Sequence, residues 1–160
     1  MTAHDARGVL VMAVQDLSDG ENALIERLPK IGKGATDAAL KAIIDADRDH
    51  SRDQAERLTD IAVALGVAAE GEDNIWLRAI LEDAENDIAS IAAGPARDVA
   101  LVGALRKAKQ AERVSYETAI ALAGVVGMSE GAAELTRSRD EERNADAALA
   151  ALLDRLAAAA

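Results

Sequence analysis

The sequence predicts an all-α protein, and two observations carry that prediction. Ala, Leu, Glu and Arg, which are strong helix formers, dominate the 160 residues. Gly and Pro are scarce, with 11 and 2 copies, which is too few for an all-β chain with many turns. A chain of this length can bury one sizeable core, and no low-complexity linker divides it. We therefore expect residues 1–160 to form a single helical domain.

Breaks that contain Gly divide the chain into five predicted helices. Gly94-Pro95 is the strongest of these breaks, because it stops one helix and allows the next to begin. Thr36 and Ser129 stand where N-caps are expected. Four of the helices are long and the third is shorter. Their predicted ranges are 8–32, 36–65, 72–93, 96–126 and 129–157.

The charge and the cysteine content exclude several classes of protein. A formal net charge of −11 repels phosphate backbones and anionic lipid, so we expect neither a nucleic-acid partner nor a membrane partner. With no cysteine, a disulfide scaffold, a zinc–thiolate site and a cysteine nucleophile are ruled out. The chain begins without the pattern of a signal peptide and contains no apolar run of about 18 residues. We expect a cytoplasmic protein.

A carboxylate interrupts the apolar face of each long helix near its middle. Residues spaced three or four apart mark one helical face. On that spacing the interrupting carboxylates are Glu21, Asp47, Glu112 and Glu142, while the shorter helix has none. An unpaired buried carboxylate costs several kcal/mol, so four of them at similar height need a shared explanation. The alternative for any single one is that it faces solvent. In the second helix the predicted face is Leu40, Ile43, Asp47, His50, Gln54, Leu58, Ile61 and Leu65.

A metal centre is one explanation for this interruption. Helix bundles hold two metal ions with single carboxylates from two helices and an acid–His pair from each of the others, and such ligands suit iron or manganese. Asp47-x-x-His50 is the acid–imidazole pair here, and Gln54 could support it from one turn further on. We expect one or two ions. The predicted metal ligands are Glu21, Asp47, His50, Glu112, Glu142 and Asp146.

Four segments of the chain resemble the YciE/YciF-type stress proteins, a branch of the ferritin-like superfamily. They are "GENALIERLPKIGKGA", "HSRDQAERL", "DVALVGALRKAKQAERVSYETA" and "DEERNADAAL", in that order along residues 14–153. The resemblance implies a ferritin-like four-helix bundle with one additional shorter helix in the crossover. It also implies a homodimer and a di-iron-type site.

Most, but not all, of the candidate site residues match the pattern of this family. Glu21, Glu112, Tyr116, Glu142 and Asp146 match the family pattern, whereas Asp47 and His50 invert its usual His-then-Glu order. Tyr116 could hydrogen-bond a ligand or act in electron transfer, or could simply be a half-buried bundle residue.

Two further positions depart from the pattern. This chain has Lys109 where the family has Glu, and Gln110 where His is common. Either Lys109 points inward and occupies a metal position, leaving one cation or none, or its long stem reaches water.

Three functions follow as expectations. The first is a metal-binding protein of a bacterial stress response that oxidises iron or handles peroxide. The second is a metal-free helical stress or interaction protein with a degenerate metal site. The third is storage in a shell, which the short crossover helix disfavours. Whether the protein is an enzyme stays open at this stage.

Overall fold

A computed structural model describes residues 3–160 and contains five α-helices. Asp5, Asp37 and Asn74 cap the first three through side-chain oxygens that accept from backbone N–H groups three residues later. Gly94, with φ of 144°, turns the chain into α4, which starts at Pro95. The helices are α1 (Ala6–Gly34), α2 (Ala38–Ala64), α3 (Ile75–Ser90), α4 (Pro95–Val125) and α5 (Ser129–Ala159).

The predicted all-α class and the predicted order of four long helices and one shorter helix are confirmed. Short turns join α1 to α2 and α4 to α5, so each pair is antiparallel. Helix α2 packs on α5 and α1 packs on α4, which closes a four-helix bundle. Helix α3 lies in the crossover between the pairs and packs on α1 and α4. Its partly buried Trp76 contacts the core. Among residues 3–160, no helix is long and apolar enough to cross a membrane.

The two predicted N-caps are wrong. The cap of α2 is Asp37, one residue after Thr36, and Met128 precedes the first turn of α5, so that Ser129 lies inside the helix. Thr36 instead donates its backbone N–H and its hydroxyl to Asp98 at the start of α4. The Thr36 hydroxyl, which the sequence pattern assigned to the N-terminus of α2, therefore binds a residue that is distant in the sequence.

The polar residues at mid-height divide the core into two apolar halves. One half runs through Leu24 and Leu28 of α1 and continues under α3. The other runs through Leu10 and Val14 at the opposite end of α1. All five helices contribute to the first half, whereas α3 takes no part in the second. The candidate site lies between these halves.

Candidate functional site

The four interrupting carboxylates all lie buried at the middle of the bundle. Each comes from a different long helix, and the exposed fraction is 0% for Glu21, 4% for Asp47 and 1% for both Glu112 and Glu142. The alternative that any one of them turns out to solvent is therefore excluded. The apolar halves above and below hold the four helices at a fixed spacing, so the carboxylates converge on one volume.

Lys109 occupies that volume. Its side chain is 0% exposed, which rules out the alternative of a surface lysine. Its Nζ lies 2.8 Å from Oδ1 of Asp47, 2.9 Å from Oε2 of Glu112 and 2.7 Å from Oε2 of Glu142. Only the contact to Asp47 has the alignment of a hydrogen bond, and the other two are close ion pairs. One ammonium thus joins α2, α4 and α5 at a single point.

Glu21 is held by a different partner. The hydroxyl of Tyr116, one turn after Glu112 on α4, donates to Oε1 of Glu21 at 2.6 Å. Tyr116 is itself 0% exposed, so it is fully buried and not the half-buried packing residue of one sequence alternative. The pair connects α1 to α4 beside the lysine cluster.

A second group of polar side chains covers the side of the centre that faces α2 and α5. The buried amide of Gln54 donates to Oε1 of Glu142 and to Oε2 of Glu141, both at 3.0 Å. The Arg57 guanidinium donates two hydrogen bonds, of 2.7 and 2.9 Å, to the Glu141 carboxylate, and it also donates one to the Ser138 hydroxyl. This network ties the centre to an ion pair nearer the surface, and it attaches Gln54 to α5 and not to the predicted pair of Asp47 and His50.

Burial and mutual repulsion favour protonated carboxyl groups at this centre. Burial, reinforced by the charge of Glu142, raises the pKa of Glu21 to about 8 and that of Glu112 well above its usual range. Burial also raises the pKa of Asp47, although the Lys109 charge opposes the shift. For Lys109, burial alone would lower the pKa, but the surrounding carboxylates raise it well above 10.5. The centre therefore balances its charge with one permanent ammonium and with bound protons.

The structure does not bring His50 or Asp146 to the centre. His50 is exposed, while Ser51, the next residue, is buried at 0% exposure in its place. Asp146 is partly exposed and accepts from Arg106 at 2.7 Å on the flank of α4. The observed buried stripe on α2 alternates steps of four and three residues, as Leu40, Ile44, Asp47, Ser51, Gln54, Leu58, Ile61 and Leu65.

That strict alternation is the signal that sequence reasoning missed. The prediction used a spacing of three residues from Leu40 to Ile43 and from Asp47 to His50, where the structure has a spacing of four. Ile43 and His50 therefore lie to one side of the face that points to the bundle axis. Continuing the regular spacing of Leu58, Ile61 and Leu65 backwards would have selected Ser51 instead. His50 was favoured for its chemistry and not for its position on the helix.

Comparison with known proteins places the chain in a family. Residues 5–160 match the sequence profile of DUF892, described as a domain of unknown function. The chain belongs to the DUF892 family. The chain is 25% identical to Protein YciF of Escherichia coli strain K12 over 146 residues, which cover 86% of this chain and 84% of that protein. The resemblance to YciE/YciF-type proteins is confirmed.

Two solved structures share the fold seen here. The crystal structure of the Escherichia coli stress protein YciF superposes with a TM-score of 0.92 at 22% identity, covering 97% of this chain and 98% of that one. YcfI, described as a putative structural protein from Rhodopseudomonas palustris, superposes with a TM-score of 0.87 at 24% identity, covering 91% and 93%. The ferritin-like helical bundle is therefore confirmed.

The donor set of this DUF892 member does not fit a di-metal centre. The Lys109 ammonium contacts three of the four buried carboxylates and would compete with a cation for the same oxygens. The one predicted imidazole, His50, lies outside. In the part of the chain from residue 3 onward, no three acidic or His side chains are arranged to share a metal ion. The chemistry that these residues support is charge pairing inside the bundle.

Proposed function

We propose that this protein is a metal-independent helical component of a bacterial stress response, which acts as a structural or interaction protein. Its polar centre joins the four long helices and performs no turnover. One observation carries the proposal, namely the position of Lys109 among Asp47, Glu112 and Glu142. A resident ammonium supplies the positive charge that a bundle of this kind otherwise takes from a metal.

The burial of the centre supports the same conclusion. Oxidation of iron or reduction of peroxide needs open coordination positions and access for the reactant. Here Glu21, Asp47, Lys109, Glu112 and Glu142 are at most 4% exposed. One structural relative is described as a stress protein and the other as a putative structural protein, and the second description agrees with a non-catalytic role.

Metal binding is the second candidate function, and a separate observation favours it. Oε2 of Glu21 and Oε1 of Glu112 are buried and have no hydrogen-bond partner among residues 3–160. Carboxylate oxygens without donors can accept a cation, and iron or manganese are the metals that such oxygens suit. In this case Lys109 would share the centre with one ion. Iron-oxidising or peroxide-handling activity would depend on that ion.

Elemental analysis separates the two candidates. Untagged protein is purified, loaded aerobically with ferrous iron or with manganese, desalted and analysed. We expect metal retention far below one ion per chain. Retention near one or two ions per chain, lost in an Asp47→Ala variant and kept in an Asp45→Ala control at an exposed site on the same helix, would overturn the proposal.

Two further expectations stay predictions. The homodimer follows from the family resemblance, and light scattering coupled to size-exclusion chromatography would measure its mass. The cytoplasmic location follows from the sequence pattern, and cell fractionation would test it.

A further inference from the structure

A groove at one end of the bundle lies apart from the polar centre. It runs between the last two turns of α2 and the first turns of α5, and it encloses about 580 Å³. Cavities of this size accept a large side chain or a small ligand. Two facing helices form its walls, which is the geometry that receives an extended or helical segment of another protein.

The floor of this groove is apolar. Buried Ile61 and exposed Ala64 come from α2, and partly buried Met128 comes from the turn before α5. Gly131 keeps the space open, because a Cβ there would lie 3.6 Å from Cε of Met128 and 3.7 Å from Cγ1 of Ile61. Its backbone is helical, so a larger side chain at this position would fill the groove without straining the chain.

The rim of the groove is acidic. Asp60 from α2 and Glu130 and Glu134 from α5 line it, and all three are exposed. Arg57 also lies at the edge, where its guanidinium donates two hydrogen bonds to Glu141 and its Nε lies 3.5 Å from Oε2 of Glu134. The rim therefore presents a net negative charge around an apolar floor.

We propose that this groove binds a basic amphipathic segment of a partner protein. An aliphatic side chain of that segment enters between Ile61 and Met128, and its Lys or Arg side chains pair with Asp60 and Glu130. Charge complementarity selects this occupant, since a second copy of a chain with net charge −11 would be repelled from an acidic rim. The inference rests on the proposed function and names the chemistry of the partner.

A binding measurement with synthetic peptides tests the groove. The probe is a labelled peptide of about 14 residues, or roughly four helical turns, with Leu at helical spacing and Lys elsewhere. Its fluorescence anisotropy is followed as full-length protein is added. Matched peptides carry Glu in place of Lys, or Ser in place of Leu. We expect the Leu–Lys peptide to bind and both matched peptides to bind at least about tenfold more weakly.

Two pairs of variants locate the binding site. Gly131→Leu fills the groove, whereas Gly124→Leu adds the same side chain at an exposed position on α4 with open space around it. Asp60→Lys reverses the charge at the rim, and Asp45→Lys makes the same change of net charge at an exposed site on α2. We expect at least about tenfold weaker binding for Gly131→Leu and Asp60→Lys, and near wild-type binding for their controls.

The outcomes are separable from those of the metal experiment. Equal binding by wild type and Gly131→Leu, equal weakening by Asp60→Lys and Asp45→Lys, or no binding of the Leu–Lys peptide would each overturn the groove proposal. A protein that retains no metal and binds no peptide would still support the metal-independent function. A protein that retains metal would refute that function whether or not the groove binds.

Discussion

Nζ of Lys109 lies 2.7 Å from Oε2 of Glu142, so an ammonium on α4 is paired with a carboxylate on α5 where neither reaches solvent. The same ammonium contacts Asp47 on α2. Three helices thus depend on one charge, and the buried carboxylates depend on it for neutralisation. Substitutions of Lys109 should therefore change the stability of the protein strongly. The size of that change shows whether the ammonium stabilises the bundle.

Lys109→Met removes the ammonium and keeps most of the volume. We expect a loss of about 3–5 kcal/mol in the free energy of unfolding, because the carboxylates remain buried without their partner. Urea unfolding followed by circular dichroism measures it. Lys107→Met, at an exposed position two residues earlier on α4, should change stability by less than about 0.5 kcal/mol. Equal stability of the two variants would show that the ammonium contributes little.

Lys109→Glu should convert the centre into a metal site. With the ammonium replaced by a fifth carboxylate, we expect an unstable protein in chelator that divalent manganese stabilises, with a melting temperature at least about 5 °C higher. Wild type and Lys107→Glu should not respond to the metal. A folded Lys109→Glu protein that neither retains manganese nor shifts its melting temperature contradicts the view that Lys109 stands in for a cation.

The raised pKa of Glu21 predicts a loss of stability with rising pH. Burial raises the folded-state pKa to about 8, from an ordinary value of 4.5, so the folded protein holds a proton that the unfolded chain releases. The contribution of Glu21 to stability is therefore fully present below pH 4.5, is lost as the pH rises from 4.5 to about 8 and stays absent above it, a change of roughly a few kcal/mol.

Denaturant unfolding at several pH values measures this dependence. Glu21→Gln should make it less steep, since the amide stays neutral at all of them while Glu112 and Asp47 keep their own raised pKa values. Glu26→Gln, at an exposed position on the same helix, should leave the profile unchanged. A profile that is equally steep in Glu21→Gln and wild type would rule out Glu21 as its source.

The hydrogen bond from Tyr116 to Glu21 predicts coupling between these two residues. Tyr116→Phe removes the donor and leaves the buried carboxyl without a partner, and we expect a loss of about 1–3 kcal/mol. In a double-mutant cycle with Glu21→Leu, which removes the acceptor, the two effects should not add, because the residues share one interaction. Additive effects would show that Tyr116 acts only through packing.

Much of the fold could be predicted because helix formation and helix ends are local. Gly94-Pro95 marked the start of α4, and the apolar spacing placed Leu24 and Leu28 of α1 in the core, where they are found. The prediction of Thr36 as an N-cap failed because a distant residue binds its hydroxyl. Thr36 bonds to Asp98 at 62 residues' separation, and no local pattern contains that contact.

The amino-acid sequence by itself determined the helices and the placement of one carboxylate in the middle of each long helix. It did so because the periodicity of apolar residues is a property of each helix alone. Only the tertiary structure decided what those carboxylates meet. Lys109 could extend to water or point inward, and His50 could replace Ser51 at the centre if α2 were rotated by roughly 100° about its axis. The packing of four helices settles both choices, because it sets the rotation of each helix and leaves the Lys109 ammonium enclosed by acids from three of them.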